Sequence, residues 1–195
     1  MSAPGQAEAT LSQAERQTLL SVASASVRHA LMSRQMPAID PNRYPPPLQQ
    51  VRASFVTLVL HGKLRGCIGS LAASHPLVVD AATNAVNAAF RDPRFNPVGY
   101  YEVGQLAYHI SILSDPEAMT FTDEADLLSQ IRPGIDGLIL EEPAQSRRGT
   151  FLPAVWEQLP EPTTFLQHLK AKAGLPGDYW SATLTVLRYT AESVE

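Results

Sequence analysis

The chain has one cysteine, Cys67, and it stands in the stretch GKLRGCIGS, two residues after Arg65 and flanked by Gly66 and Gly69. A thiol attacks only as the thiolate, and a neighbouring guanidinium favours that anion. Glycines let a ligand come close to the backbone. Two readings follow. Cys67 is a candidate catalytic nucleophile with Arg65, Gly66 and Gly69 as candidate substrate-binding residues, or it is a small apolar side chain filling a gap between strands. A second group of this kind is RDPRF, residues 91–95. There Arg94 is a candidate for a two-pronged hold on a carboxylate or phosphate, or it simply pairs with a neighbouring acid, while Asp92 is expected to fold back on backbone amides as an Asx turn. His61, His75 and His109 are the histidines that a Cys–His pair would draw on, but no local spacing demands one. His61 reads equally as a turn residue and His75 as a helix cap. The sequence carries no histidine or cysteine cluster of the kinds that fix zinc, so no metal and no cofactor is expected.

These groups need a scaffold. VRASFVTLVL, HGK and LRGCIGSL read as strand, turn and strand over residues 51–71, with Cys67 on the second strand. Plain alternation puts Arg65, Cys67 and Gly69 on one face and Leu64, Gly66 and Ile68 on the other, the latter toward the core. Ahead of the hairpin, residues 11–35 form a helix opened by a capping box, Ser12 with Glu15, and the proline-rich segment 37–50 is a long loop. Behind it, residues 75–90 form a helix whose Ala81, Ala85, Ala88 and Ala89 allow close approach to a sheet, stopped by Pro93 and Pro97. The rest reads as a strand (106–113), a short helix (122–131), a hairpin with a solvated, charged tip (137–152), a helix (161–174) and a strand (182–190). Hairpin followed by helix occurs twice. Tyr100, Tyr101, Trp156 and Trp180 are expected in a core or lining a cleft.

Composition bounds the function. A length of 195 residues with 45% hydrophobic and 17% charged residues describes a globular chain, taken as a single domain over 11–195 behind a flexible tail at 1–10. Sixteen prolines stiffen its loops. A net charge of −4 without any basic run argues against nucleic acid. No window is long and apolar enough for a membrane span, the first residues lack the pattern of a leader, and a lone cysteine suits a reducing compartment, so a cytoplasmic protein is expected.

LRGCIGS, followed in order by DPRF (92–95), ISILSDPE (110–117), DGLIL (136–140), FLPAVW (151–156) and FLQHLKAKAGL (165–175), and preceded by SFVTL (54–58), resembles the AMMECR domain family over about residues 11–190. Ala154 and His168 depart from the family's common residues, and His168 replaces a second cysteine. The resemblance implies an α+β fold of two intertwined sheet-and-helix units with a cleft between them. It also implies association with a Memo-like protein and a radical S-adenosylmethionine protein, hence a multi-protein modification system. On that basis a site around Cys67, Arg65 and Arg94 is expected to take a small anionic substrate or a modified group. The alternative is a non-catalytic adaptor that uses LRGCIG as an interaction surface. Whether the protein is an enzyme stays open.

Overall fold

The computed structural model describes residues 10–195, so the tail expected at the N-terminus lies, but for Thr10, outside the described residues. The fold is α+β with two antiparallel sheets, one in each of two compact units. The first unit runs to Ser114 and takes up Glu192–Glu195, and the second is Asp115–Ala191.

Helix α1 (Gln13–Ser33) begins at the capping box, Ser12 Oγ accepting from Glu15 N while Glu15 Oε2 accepts from Ser12 N at 2.7 Å. The proline-rich segment is less loop-like than its sequence suggests. It contains a short helix, α2 (Pro46–Gln49), because prolines in a first turn give up an amide that has no intrahelical partner anyway. Strands β1 (Ser54–Leu60) and β2 (Lys63–Gly69), helix α3 (Leu77–Phe90) and strand β3 (Leu106–Leu113) complete the expected order. Val56, Leu58, Ile110 and Ile112 are fully buried on the inner sheet face, together with the α3 alanines and Leu19, Ala23 and Val27 of α1. The approach of α3 is close enough that a Cβ on Gly66 would fall 2.2 Å from the Ala88 carbonyl oxygen. A buried polar cluster fastens the same contact: the Asp80 carboxylate accepts from Ser54 N, Ser54 Oγ, Ser70 Oγ and Asn84 Nδ2 at 2.6–2.9 Å. Pro76, not His75, occupies the cap position of α3, and it makes no side-chain capping bond.

The hairpin turn consists of His61 and Gly62, with φ of 50° and 75°. Two left-handed residues make the turn whose twist matches the flanking strands. Leu60 pairs with Lys63, and counting back from that closure would set Thr57 opposite Gly66 and Val56 opposite Cys67. The observed register is different. Val59 pairs with Leu64, Leu58 with Gly66, Thr57 with Cys67 and Val56 with Ile68, leaving Arg65 unpaired in a β-bulge. Plain alternation along β2 is therefore corrected at its start. Gly66 and Ile68 do face the core, but Leu64 is 47% exposed.

The second unit repeats the plan. Helix α4 (Glu124–Gln130), strands β5 (Gly137–Glu142) and β6 (Arg147–Phe151), helix α5 (Pro162–Lys172) and strand β7 (Thr185–Tyr189) follow one another. Leu138, Leu140, Phe165, Leu166, Leu169 and Val186 make its core, with Trp156 stacked on Phe165 at 3.8 Å. Two short strands missing from the sequence reading join the plans. Strand β4 (Glu117–Ala118) follows β3 but pairs with β7, and β8 (Ala191–Val194) follows β7 but lies beside β3. The sheet orders, β2-β1-β3-β8 and β6-β5-β7-β4, are thus equivalent with their last strands exchanged. That exchange is the intertwining. Trp156 is buried as expected, whereas Tyr100 and Tyr101 are 72% and 88% exposed. The hairpin tip is also not wholly solvated, since Glu142 is fully buried.

Because the atom that a Gly66 side chain would strike is helix backbone, it cannot turn aside. Gly66→Ala should lower unfolding free energy by about 2 kcal/mol or more, within the range for overpacked cores, as measured by urea denaturation, while Gly62→Asn at the open turn should cost well under half of that.

Candidate functional site

The bulge turns Cys67 away from the core, onto the outer face of the first sheet, where it is half-buried. Thr57 lies directly opposite and its hydroxyl donates to Cys67 Sγ at 3.2 Å. Thr57 is in turn opposite His109 on β3, so Cys67, Thr57 and His109 form a row across adjacent strands. His109 Nδ1 lies 3.7 Å from Glu195 Oε2. With strands about 4.8 Å apart, the imidazole belongs to a strand roughly 10 Å from that of the thiol. Thr57 stands between them. Gly69 has a separate job on this face, because a Cβ there would fall 2.2 Å from the Phe55 ring, which lies across it.

The loop after α3 reaches the same point from the sheet edge. Asp92 Oδ2 accepts from Cys67 N at 2.9 Å, and Arg94 Nη2 donates to Cys67 O at 3.2 Å. Asp92 Oδ1 accepts from Arg94 N at 3.1 Å, the expected Asx turn, and both carboxylate oxygens accept from the guanidinium, at 2.9 Å from Nε and 2.6 Å from Nη2. The Asp92 side chain is only 2% exposed, while that of Arg94 is 54% exposed. The Arg94 guanidinium, followed by the amides of Cys67 and Arg94, holds the Asp92 carboxyl well below the usual carboxylate range. Asp92 in turn raises the pKa of Arg94, with a smaller contribution from the Cys67 side chain.

Arg65 is placed otherwise than its two-residue spacing suggests. Its Nε and Nη2 donate to the two oxygens of Glu102 at 2.8 and 3.0 Å, and Nη2 also reaches Pro97 O at 3.4 Å. The Arg65 guanidinium, helped by the Gly99 amide, brings Glu102 down to about 2. The arginine that bonds to Cys67, at its backbone carbonyl, is therefore Arg94, and Arg65 braces the loop. Of the histidines, His61 is a turn residue, His75 is exposed and bonded to Ser74 at 2.9 Å, and His109 stands in the row on the far side of Thr57 from the thiol.

Sequence reasoning missed Thr57, Glu102 and the anchor Glu142. Thr57 was legible only through the register, which the bulge shifts. Glu142 accepts from Ser181 Oγ, Thr183 Oγ1 at 2.6 Å, Tyr179 OH at 3.0 Å and Ala144 N at 3.1 Å, and these donors, the Ser181 hydroxyl first, lower its pKa.

Comparison with known proteins shows the family of the chain. The AMMECR1 family model matches residues 20–194. The chain belongs to the AMMECR1 family. A protein of Methanothermobacter thermautotrophicus is 36% identical over 190 residues, covering 94% of this chain and 95% of its own. One from Methanocaldococcus jannaschii is 36% identical over 160 residues, covering 78% and 77%. The crystal structure of an uncharacterized protein from Pyrococcus horikoshii is similar with a TM-score of 0.85 at 31% identity, covering 94% of this chain and 92% of that one. Among the described residues of this AMMECR1-family chain, no helix is long and apolar enough to cross a membrane.

The depressed carboxylates have a consequence for acid stability. Asp92 and Glu102 bind fewer protons folded than unfolded, so their contribution is complete above the ordinary carboxylate pKa and is lost as pH falls through the folded value. The urea midpoint should drop between about pH 4.5 and about pH 2, and Glu102→Gln should flatten that drop while lowering stability at pH 7.

Proposed function

We propose that this AMMECR1-family protein takes a small anionic or electrophilic group at Cys67, with Arg94 as the positioning charge, as a cytoplasmic component of a multi-protein modification system that includes the Memo-like and radical S-adenosylmethionine proteins. One observation carries the reading: a half-exposed guanidinium, immobilised by the buried Asp92, stands beside the only thiol of the chain. With Nε and Nη2 held by Asp92 and Nη2 also donating to Cys67 O, Arg94 has Nη1 to offer an incoming oxygen. The Thr57 hydroxyl supplies a further donor at the sulfur. Gly66 belongs to the helix contact and Gly69 to Phe55, so both support the strand that presents the thiol.

A second reading, an adaptor without chemistry, is favoured by the exposed pair Tyr100 and Tyr101, edge to face at 6.0 Å beside the Glu102 that Arg65 engages. Exposed aromatic pairs are common anchors of protein interfaces. Under that reading the thiol is incidental.

Alkylation kinetics separate the two. Iodoacetate and iodoacetamide differ in charge and little in size, and each forms an S–C bond at Cys67 with loss of iodide. A positioning charge about 4 Å from the reacting group contributes on the order of 1 kcal/mol in a watery site, or about five-fold in rate. The ratio of iodoacetate to iodoacetamide rates should therefore fall about five-fold in Arg94→Gln, survive in Arg94→Lys and be unchanged in Arg65→Gln. Loss of the ratio in Arg65→Gln alone, or labelling of Cys67 only after unfolding, would overturn the proposal.

A further inference from the structure

A second place in the first unit has the makings of a ligand site and is independent of the thiol. Between the C-terminal ends of α1 and α3 lies a cavity of 360 Å³, within the roughly 300–1,000 Å³ usual for small-molecule pockets. Leu31, Met36, Val86 and Phe90 give it apolar walls, and Arg34 and Arg91 stand among its lining residues with exposed side chains. No carboxylate lines it. Among the described residues neither arginine is paired with an acid, in a chain whose net charge is −4.

Both arginines are the residues that end their helices. Helix C-termini carry roughly −0.5 charge each, so complementing the two ends accounts for about half of the +2 the guanidiniums bring. About one positive charge is left over. Arg34 adds an independent sign that its side chain is wanted. It adopts φ 59° and ψ 24°, a left-handed conformation that glycine takes freely and that is uncommon for a long side chain. A glycine would end the helix with less strain but would remove an arginine from the cavity lining.

We infer that this cavity binds a small organic monoanion with an apolar body, the carboxylate or equivalent head held between Arg34 and Arg91 and the body against Leu31, Val86 and Phe90. The two parts of the site make different demands. An ion without an apolar body leaves the walls wet, and an apolar molecule without charge leaves the guanidiniums unsatisfied.

Calorimetric titration of the full chain with sodium octanoate, 1-octanol and sodium acetate tests both demands. Octanoate should bind at least about tenfold more tightly than either of the others, the factor that about 1.4 kcal/mol supplies. Arg34→Gly should weaken octanoate about tenfold while its melting temperature stays level or rises, and Arg91→Ala should weaken octanoate to a similar degree. The proposal is overturned if octanol or acetate matches octanoate, if octanoate does not bind, or if Arg34→Gly retains wild-type affinity. A fall in melting temperature for Arg34→Gly would also count against it, since the side chain would then be serving the helix end.

Discussion

The candidate site depends on one extra residue in one strand. Without the bulge at Arg65, closure of the His61–Gly62 turn would set Cys67 opposite Val56, among side chains that are fully buried, and would put Gly66 opposite Thr57. A one-residue slip sends every side chain of a strand to the other face. The bulge makes that slip locally and only once. It brings the thiol to the outer face opposite a hydroxyl, while Gly66 moves to a position where the α3 backbone leaves no room for a Cβ.

The edge of the sheet then decides which arginine serves the thiol. Strand β2 is an edge strand, so the amide and carbonyl of Cys67 point away from β1 and need partners of their own. Asp92 and Arg94 provide them. The same pair that closes the edge holds an exposed guanidinium at the backbone of the cysteine, so protecting the strand and placing that charge are one arrangement. Arg65, freed from the ladder by the bulge, is drawn to Glu102 and fixes the far end of the same loop. Each arginine is orientated by a carboxylate within hydrogen-bond distance, and each carboxylate is acidified in return.

The exchange of last strands brings residues 191–195 into this scheme. Strand β8 brings Glu195 within 3.7 Å of His109 in the row that begins at Cys67. In the second unit, Glu142 gathers the hydroxyls of Tyr179, Ser181 and Thr183, fastening the turn end of the β5–β6 hairpin with polar contacts that a wholly solvated tip would not need.

What the sequence by itself determined is what neighbouring residues decide among themselves. The capping box sets the start of α1, the His-Gly turn makes the hairpin, the alanine repeat makes α3 a close-packing helix, and the Asp92 turn follows from the reach of a short carboxylate to an amide two residues on. LRGCIGS and the segments in order with it marked the family and with it the α+β class. Tertiary structure alone decided the rest. The bulge is a compromise between turn, helix contact and register that no local preference dictates, and it chose the partner of Cys67. Glu102 lies 37 residues from Arg65, and β4 and β8 are too short to declare themselves before a neighbouring strand offers its free edge. Such contacts are made between groups far apart in sequence, so their geometry exists only once the sheet and helices have packed.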